Sequence, residues 1–261
     1  MLANPAVEAV YITTRHDAHA SQVLAALRAG KHVWVEKPLA LALADVEAIA
    51  AQQLVSNRVV MVGFNRRFAP MAVALRNVLQ QGRGPHRIKI TVNAGRLEPG
   101  HWALDPQAGG GRIVGEACHF VDLSRYFVGH AIVGAQCARR DTDGQDGGLF
   151  ELSFADGSTA VIDYRTDLPP QVPKEVIEVS GAGYTARINN WVKLTSRGLG
   201  GLSRGAFWNQ APRKGHAEAL ATFQKAIKSG VAPVPFDEVR EISRWAIRLQ
   251  SMKHAGEKLI L

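Results

Sequence analysis

The chain of 261 residues is 46% hydrophobic and 21% charged, a balance that excludes a wholly disordered polypeptide. No apolar run approaches the about 18 residues of a membrane span, and the start lacks the basic-then-apolar pattern of a signal peptide. Two cysteines, Cys118 and Cys137, are too few for a disulfide framework, which predicts a cytoplasmic location. The formal net charge of +8 is compatible with nucleic acid or with anionic small molecules, so composition leaves the function open.

The first part of the chain alternates short apolar runs with amphipathic patterns. The runs at residues 7–13, 32–35 and 59–63 predict buried strands, and helical spacing at 18–29 and 41–54 predicts helices between them. Strands and helices that alternate through short links are typical of a parallel α/β sheet. We therefore expect a partial Rossmann-like sheet in a first domain of residues 1–68.

After Pro70 the pattern changes to that of an antiparallel sheet with helices. Strands are predicted at residues 87–93, 132–138, 148–154, 159–164, 175–179, 184–188 and 191–194, and helices at 71–80, 115–126, 216–228 and 239–254. Turn signals such as Asp156-Gly157 join several strands, and the Gly- and Arg-rich stretch 197–214 is predicted to be a flexible loop. The fold class is thus α/β plus α+β, with a mostly antiparallel open sheet in a second domain of residues 69–261.

The segment Glu36-Lys37-Pro38 directly follows a predicted strand. In an open α/β sheet the ligand crevice lies at the carboxyl ends of the strands, so two charged side chains are expected there. Proline removes a backbone donor and fixes φ, and it often accompanies a bend. The alternative interpretation is an exposed Glu-Lys pair in front of a proline that starts a helix.

A second candidate cluster, Thr13-Thr14 with His16 and His19, lies between the first predicted strand and its helix. Hydroxyl and backbone N–H groups at the beginning of a helix suit an anion or a ribose hydroxyl. The alternative is an ordinary helix start with Asp17 as its N-cap, and for His19 alone that alternative is favoured.

A third cluster combines three glycines, residues 109–111, with Glu116, His119 and Asp122. Glycines let a backbone approach a ligand closely, and residues three apart on a helix share a face. A histidine on that face can accept a proton from a substrate hydroxyl near neutral pH, although a buried structural histidine is the alternative. One histidine with two carboxylates is a weak zinc pattern, so we expect no metal.

In order and spacing, these segments resemble the Gfo/Idh/MocA oxidoreductase family over almost the whole chain. The motifs that carry the resemblance are Ile12-Thr13-Thr14 with His19, the block 29–40 with Glu36-Lys37-Pro38, the run Gly63-Phe64-Asn65-Arg66-Arg67-Phe68, and Gly109-Gly110-Gly111 followed by Gly115-Glu116 and His119-Phe120-Val121-Asp122. Blocks 63–70 and 112–122 are most similar to a branch often fused to a zinc-type alcohol dehydrogenase domain and linked to surface-polysaccharide biosynthesis.

The resemblance implies hydride transfer between NAD or NADP and a hydroxyl-bearing carbon of a sugar, nucleotide sugar or cyclitol. By the same resemblance, Lys37 contacts the substrate hydroxyl and the cofactor, His119 is the acid/base, and Glu116 assists as a third catalytic residue. The implied cofactor-binding residues are Thr13, Thr14, His19, Glu36, Lys37, Pro38 and Asn65. The implied substrate-binding residues are Lys37, Arg66, Arg67, Trp102 and Asp122.

Two departures from the family pattern accompany the resemblance. Many members have an aspartate four residues before the histidine, whereas this chain has Gly115 there and Glu116 one position later, about 100° around a helix. The family also opens with a strand, a glycine-rich turn and a helix, which are absent before residue 7. We therefore expect either a fragment of a longer enzyme or a partner chain that covers the edge of the first strand.

A non-catalytic binding or assembly subunit derived from such an enzyme is the second hypothesis. Nucleic-acid binding is disfavoured because Arg197, Arg204 and Arg213 lack interleaved stacking aromatics apart from Phe207 and Trp208. Arg66 and Arg67, with Lys174, could instead contact the phosphates of a nucleotide sugar. The family's second domain often pairs its open sheet with another subunit, so we expect a homo-oligomer.

Overall fold

The computed structural model describes residues 1–82, 84–200, 202 and 207–260, with the backbone alone for Phe207 and Trp208. Arg204, which was considered above for nucleic-acid binding, lies outside the described residues, as does part of the predicted loop 197–214. The chain forms two compact units. The first comprises residues 1–64, 100–119 and 217–250, and the second comprises residues 65–99, 120–216 and 251–261.

The helices are α1 (His16–Arg28), α2 (Leu43–Ser56), α3 (Pro70–Leu79), α4 (Cys118–Val128), α5 (His216–Ser229) and α6 (Phe236–Ser251). The strands are β1 (Ala9–Ile12), β2 (His32–Val35), β3 (Val60–Val62), β4 (Arg87–Asn93), β5 (Ile132–Arg140), β6 (Gly148–Phe154), β7 (Thr159–Arg165), β8 (Glu175–Gly181), β9 (Tyr184–Asn189), β10 (Lys193–Arg197), β11 (Phe207–Trp208) and β12 (Lys258–Ile260). Two 3₁₀ helices (Asn65–Phe68 and Trp102–Leu104) and a π-helical turn (Ile113–Ala117) complete the structure.

The first unit contains a parallel sheet in the order β1-β2-β3. All four residues of β2 are buried, as expected for a strand whose two faces are both covered. Helix α1 buries Val23 and Leu27, and α2 buries Val46 and Ile49, so each helix turns one apolar face inward. The predicted partial Rossmann-like sheet is therefore confirmed.

Helices α5 and α6 lie more than 150 residues beyond this sheet in the sequence, yet they belong to the same unit. Phe223 of α5 packs edge-on against Trp34 of β2 and Tyr11 of β1, with ring centroids 5.7 and 5.5 Å apart. The division that we predicted at 68/69 therefore differs from the compact units. Apolar periodicity shows that a helix buries one face, but it does not show which sheet that face covers.

The second unit is built on a nine-stranded sheet in the order β11-β10-β9-β8-β4-β7-β6-β5-β12. Strand β4 pairs in parallel with β7 and antiparallel with β8, and the other pairings are antiparallel. Buried residues alternate along β6, where Phe150, Leu152 and Phe154 share one face. This is the mostly antiparallel sheet that the turn signals predict.

The structure differs from the sequence predictions at four places. Trp191, predicted to begin a strand, lies in the turn before β10, where Asn190 and Trp191 have φ of 49° and 59°. Strand β12 was not predicted, and β11 falls inside the stretch predicted as a loop. The helix predicted over 115–126 begins as the π-helical turn and continues as α4.

Within the described residues, no helix combines the length and hydropathy that crossing a bilayer requires. The same residues contain no group of three or more His, Cys, Asp or Glu side chains arranged to hold a metal ion.

Candidate functional site

The polar residues predicted for cofactor binding follow neighbouring strands of the first unit. Thr13 and Thr14, both exposed, come after β1, and Glu36 and Lys37, both partly exposed, come after β2. Because β1 and β2 are parallel and in register from Ala9/His32 to Ile12/Val35, their carboxyl ends lie at one edge. This edge is where a doubly wound sheet binds its ligand.

The ammonium group of Lys37 donates a hydrogen bond to the carbonyl oxygen of Gly115, at 2.6 Å. This contact joins the Glu36-Lys37-Pro38 segment to the π-helical turn, 78 residues later in the chain. An ammonium group carries three donors, so this bond leaves capacity for another acceptor. Short π-helical segments occur frequently at functional sites, because the inserted residue redirects the backbone.

The π-helical turn is held at its start by Gln250 of α6. Its side-chain oxygen Oε1 accepts hydrogen bonds from the backbone amides of Ile113 and Val114, at 2.9 and 3.1 Å. The preceding glycines allow a close approach of chain to chain, since a Cβ atom at Gly109 would lie 2.5 Å from the backbone of Ala103. The glycine run therefore packs the backbone against itself at this point.

His16 is the functional candidate to which the sequence analysis gave no role. The ring is 8% exposed, and its Nδ1 donates to the carbonyl oxygen of Gly109 at 2.8 Å, which leaves Nε2 as an acceptor. Burial, reinforced by the nearby charge of Lys37, lowers the pKa of His16 to about 4, although the bond to Gly109 opposes the shift. His16 is thus a neutral imidazole near neutral pH.

The ring of His16 also fills the space beside Gly115. A Cβ atom at position 115 would lie 2.8 Å from Cε1 of His16, a separation that real side chains do not tolerate. The absence of a side chain at 115 and the presence of an imidazole at 16 are therefore two parts of one arrangement. A histidine that directly follows Thr14-Arg15 at the start of a helix is the signal that could have identified it.

His19 is completely buried and connects the ends of two strands. Its Nδ1 lies 2.7 Å from the carbonyl oxygen of Pro38, and its Nε2 lies 3.1 Å from that of Thr14. Both ring nitrogens thus face backbone carbonyl groups. This favours a role in holding the two strand ends together over direct contact with a cofactor. The cofactor-binding role assigned to His19 stays a prediction.

Three further predicted residues, His119, Glu116 and Trp102, lie in the segment 100–119 of the first unit. His119 is 6% exposed and packs edge-on against Phe64, with ring centroids 6.3 Å apart. Glu116 is 39% exposed at its side chain and faces Arg112 at 3.4 Å. Trp102 packs against His16, with ring centroids 4.7 Å apart. The catalytic assignments of His119 and Glu116 and the substrate assignment of Trp102 are not tested by these contacts.

In the second unit, Arg66 belongs to a buried charged network around Glu175. The carboxylate accepts from Arg66 at 2.8 and 3.2 Å, from Lys214 Nζ at 2.6 Å and from Trp191 Nε1 at 2.6 Å. Burial by itself would raise the pKa of Glu175, but the charges and hydrogen bonds of Arg66 and Lys214 outweigh it and lower the pKa to about 2. The sequence analysis gave Glu175 no role. A carboxylate at the first position of an apolar strand is the signal that could have identified it.

Asn65, predicted to bind cofactor, is 3% exposed and joins the same network. Its Nδ2 donates to the carbonyl oxygen of Lys214 at 2.8 Å, and its Oδ1 accepts from Arg66 at 3.0 Å. Next to this network, Arg67 forms a buried ion pair with Asp122, whose two carboxylate oxygens lie 3.0 and 3.1 Å from Nε of Arg67. These buried contacts give Arg66, Arg67 and Asp122 a structural role. Their substrate-binding roles stay predictions.

Two family models match the chain in sequence. The model described as an oxidoreductase family with an NAD-binding Rossmann fold matches residues 1–64, and the model described as the GFO/IDH/MocA C-terminal domain matches residues 73–186. The chain belongs to the Gfo/Idh/MocA family. The family assignment covers both the parallel sheet of the first unit and most of the large sheet of the second.

Two similar curated proteins are named for a sugar derivative and for a cyclitol. The chain is 32% identical over 169 residues to the 1,5-anhydro-D-fructose reductase of Ensifer adhaerens, which covers 61% of this chain and 51% of that protein. It is 28% identical over 249 residues to the myo-inositol 2-dehydrogenase of Thermotoga maritima, covering 89% of this chain and 73% of that one. The chain therefore spans about half of the first relative and about three quarters of the second.

Comparison with solved structures confirms the fold. The aldose-aldose oxidoreductase of Caulobacter crescentus superposes with a TM-score of 0.82 at 24% identity, over 100% of this chain and 81% of that one. At this identity the match concerns the fold alone. It bears out the expected architecture of a Rossmann-like parallel sheet and a mostly antiparallel sheet with helices.

Proposed function

We propose that this chain supplies the catalytic part of an NAD(P)-dependent oxidoreductase that moves a hydride to or from a hydroxyl-bearing carbon of a sugar, nucleotide sugar or cyclitol. The observation that carries the proposal is the bond from Lys37 to Gly115. It ties the charged end of a buried parallel strand to the turn that leads into His119. A charged side chain fixed at this edge of a doubly wound sheet is suited to a reacting ligand.

The residues at this edge fit the nicotinamide half of a dinucleotide. Exposed hydroxyl groups at Thr13 and Thr14 can bind ribose, and Lys37 lies at the end of the adjacent strand. The bound nicotinamide supplies the hydride acceptor or donor. The match to an NAD-binding family model over residues 1–64 supports NAD or NADP as the cofactor.

Each protein group in the proposal has a definite task. The ammonium of Lys37, which the carbonyl of Gly115 orients, stabilises the negative charge that develops on the substrate oxygen. His119 takes the hydroxyl proton, or returns it in the reverse direction. His16 remains neutral because its pKa is about 4, so it adds no second positive charge that would repel Lys37. Glu116 is proposed to assist His119.

A polyol or sugar is the substrate class that the relatives' names favour, since they mention anhydrofructose and myo-inositol. A nucleotide sugar, a role in polysaccharide biosynthesis, the branch fused to a zinc-type alcohol dehydrogenase domain, origin from a longer enzyme, a homo-oligomer formed through the large sheet, and a cytoplasmic location all stay predictions. So does the second hypothesis, a binding or assembly subunit without turnover.

Titration of the purified chain with NADH tests the proposal, with fluorescence of its five tryptophans and its state of assembly followed together. We expect saturable quenching by NADH, then oxidation of myo-inositol or an aldose when NAD+ is supplied as the hydride acceptor, and no turnover in Lys37→Ala. Lys225→Ala, an exposed lysine on α5, is the matched control. Saturable binding without turnover would favour the non-catalytic subunit, and near-normal kcat in Lys37→Ala would overturn the catalytic assignment.

A further inference from the structure

A cavity of about 680 Å³ lies in the first unit at the amino ends of its strands. Glu8 precedes β1, Lys31 precedes β2, His32 begins β2, and Arg58 lies two residues before β3; all of these residues line the cavity. Lys228, in the last turn of α5, also lines it. The proposed reaction site lies at the opposite, carboxyl ends of the same strands, so this cavity is a separate feature.

The charges around the cavity are unbalanced. Three basic side chains, Lys31, Arg58 and Lys228, line the cavity with one carboxylate, Glu8. In the part of the chain that the structure describes, none of these three cations has an ion-pair partner within 4.0 Å. Lys31 is only 7% exposed, and its ammonium donates a single hydrogen bond, to the carbonyl oxygen of Asn4 at 2.9 Å. A buried ammonium group with unused donors is costly unless an acceptor reaches it.

The hydrogen bonding of His32 also indicates that a hydrogen-bond acceptor is needed in the cavity. This ring is 7% exposed, and its Nδ1 accepts a hydrogen bond from the backbone amide of Val59 at 3.1 Å. A neutral imidazole that accepts at Nδ1 carries its proton on Nε2. Yet Nε2 lies 3.4 Å from Nη1 of Arg58, which is also a donor. Two N–H donors this close repel each other unless one acceptor bonds to both of them. Burial, and after it the charge of Arg58, lowers the pKa of His32, which favours the neutral ring.

We propose that this cavity binds a phosphoryl group, either as inorganic phosphate or as the terminal group of a phosphorylated small molecule. A guanidinium, an ammonium group and an imidazole N–H are the donors that such an oxyanion prefers. A volume of about 680 Å³ exceeds what inorganic phosphate fills and lies within the range of small-molecule sites. The carboxylate of Glu8 is then available to accept a hydrogen bond from a hydroxyl group of the organic part.

Helix C-termini near the cavity oppose anion binding to some extent, because they carry partial negative charge. At the end of α1, however, the carbonyl oxygens of Ala25, Ala26 and Leu27 already accept from the amides that follow the helix. Lys228 places a full positive charge at the corresponding end of α5. The cations therefore dominate the potential of the cavity.

Calorimetric titration of the whole chain with inorganic phosphate, at constant ionic strength set by chloride, tests the site. We expect saturable binding, competition by sulfate, and a loss of affinity of at least about tenfold in Arg58→Gln and in Lys228→Gln. Both side chains are exposed, so neither change disturbs the core. Lys225→Gln, on the same helix but outside the cavity, should bind as the parent does.

Glucose 6-phosphate and glucose separate the two sources of the phosphoryl group. Tighter binding of the sugar phosphate than of inorganic phosphate assigns the site to phosphorylated small molecules, and equal affinity assigns it to the phosphate ion. Phosphate-dependent shifts of the His32 ring signals in nuclear magnetic resonance would locate the ligand. Absence of saturable binding below about 10 mM, or equal affinity in Arg58→Gln and the parent, would overturn the proposal.

Discussion

The imidazole of His16 occupies the space beside the α-carbon of Gly115, where a Cβ atom would lie 2.8 Å from Cε1 of the ring. The carbonyl oxygen of the same glycine accepts a hydrogen bond from the ammonium group of Lys37. A single residue without a side chain thus brings a buried neutral histidine and a lysine to one turn. A side chain at position 115, where the sequence analysis notes a departure from the family pattern, would therefore collide with the ring of His16.

Gly115→Ala should therefore strain the turn. We expect the free energy of unfolding to fall by about 1–3 kcal/mol, as for other overpacked sites, because the ring of His16 cannot retreat without losing its bond to Gly109. Urea denaturation measures this loss. Gly200→Ala is the control, since a Cβ atom there meets nothing within 4 Å.

The double variant His16→Ala/Gly115→Ala isolates the contact itself. Removal of the ring should relieve the strain. The unfolding free energies lost in the two single variants should therefore add up to at least about 1 kcal/mol more than the loss in the double variant. Additive losses would show that the two positions do not interact.

His119→Ala tests the proposed proton transfer. We expect kcat with the best polyol substrate to fall roughly 100- to 10,000-fold, and the limb of the pH–rate profile that reports the base to disappear. The control is His254→Ala, which removes an exposed histidine and should leave the profile as it is. A kcat that falls without any change in the profile would mean that the ring acts through packing against Phe64.

Glu175 should make stability depend on pH in the acid range. Its pKa is about 2 in the folded chain against 4.5 as the reference value, so its contribution is complete above pH 4.5 and is lost as the pH falls towards 2. The shift corresponds to about 3 kcal/mol. In Glu175→Gln, the decrease in unfolding free energy between pH 5 and pH 2 should be smaller by about that amount.

Asp167 provides the comparison for Glu175. A hydrogen bond from Arg165 lowers the pKa of Asp167 to about 2 as well, but the carboxylate is 55% exposed. Solvent screens such pairs, so Asp167→Asn should change stability by about 0–1 kcal/mol. Equal effects of the two substitutions would contradict the importance that we give to burial.

Arg67→Ala distinguishes a structural role from a substrate role. Loss of one partner from a buried ion pair removes the guanidinium of Arg67 from the buried carboxylate of Asp122 and should lower stability by about 3–5 kcal/mol. The control Arg96→Ala breaks an exposed pair with Asp143 and should cost about 0–1 kcal/mol. If Arg67→Ala raised KM while stability was unchanged, the predicted contact with substrate would gain support instead.

Sequence patterns predicted most elements because their causes are local. Strand β2 and strand β6 were predicted at their observed bounds, since short apolar runs and strict alternation depend only on neighbours in the chain. Trp191 was predicted to begin a strand, but it lies in a turn with φ of 59°. Its ring is buried and donates to Glu175, 16 residues earlier in the chain, a partner that no local pattern indicates.

The site was predictable where motifs carry it and not where distant side chains meet. The Glu-Lys-Pro motif predicted Lys37 near a strand end, and the structure places it there, while its catalytic role stays a prediction. Its bond to Gly115 joins residues 78 apart in sequence, and the pair Arg66–Glu175 joins residues 109 apart. No local pattern encodes such pairings, and the presence of a charged residue in an apolar setting indicates only that some partner is needed.

The first unit is built from segments that are far apart in the sequence, and this has a consequence for its folding during synthesis on the ribosome. The three parallel strands all precede residue 64. Phe223, which packs against Tyr11 and Trp34, and Gln250, which holds the π-helical turn, are synthesised far later. A nascent chain that has emerged as far as the large sheet still exposes apolar surface on the small one. We therefore expect the first unit to become protease-resistant only after the segment 217–250 has been released.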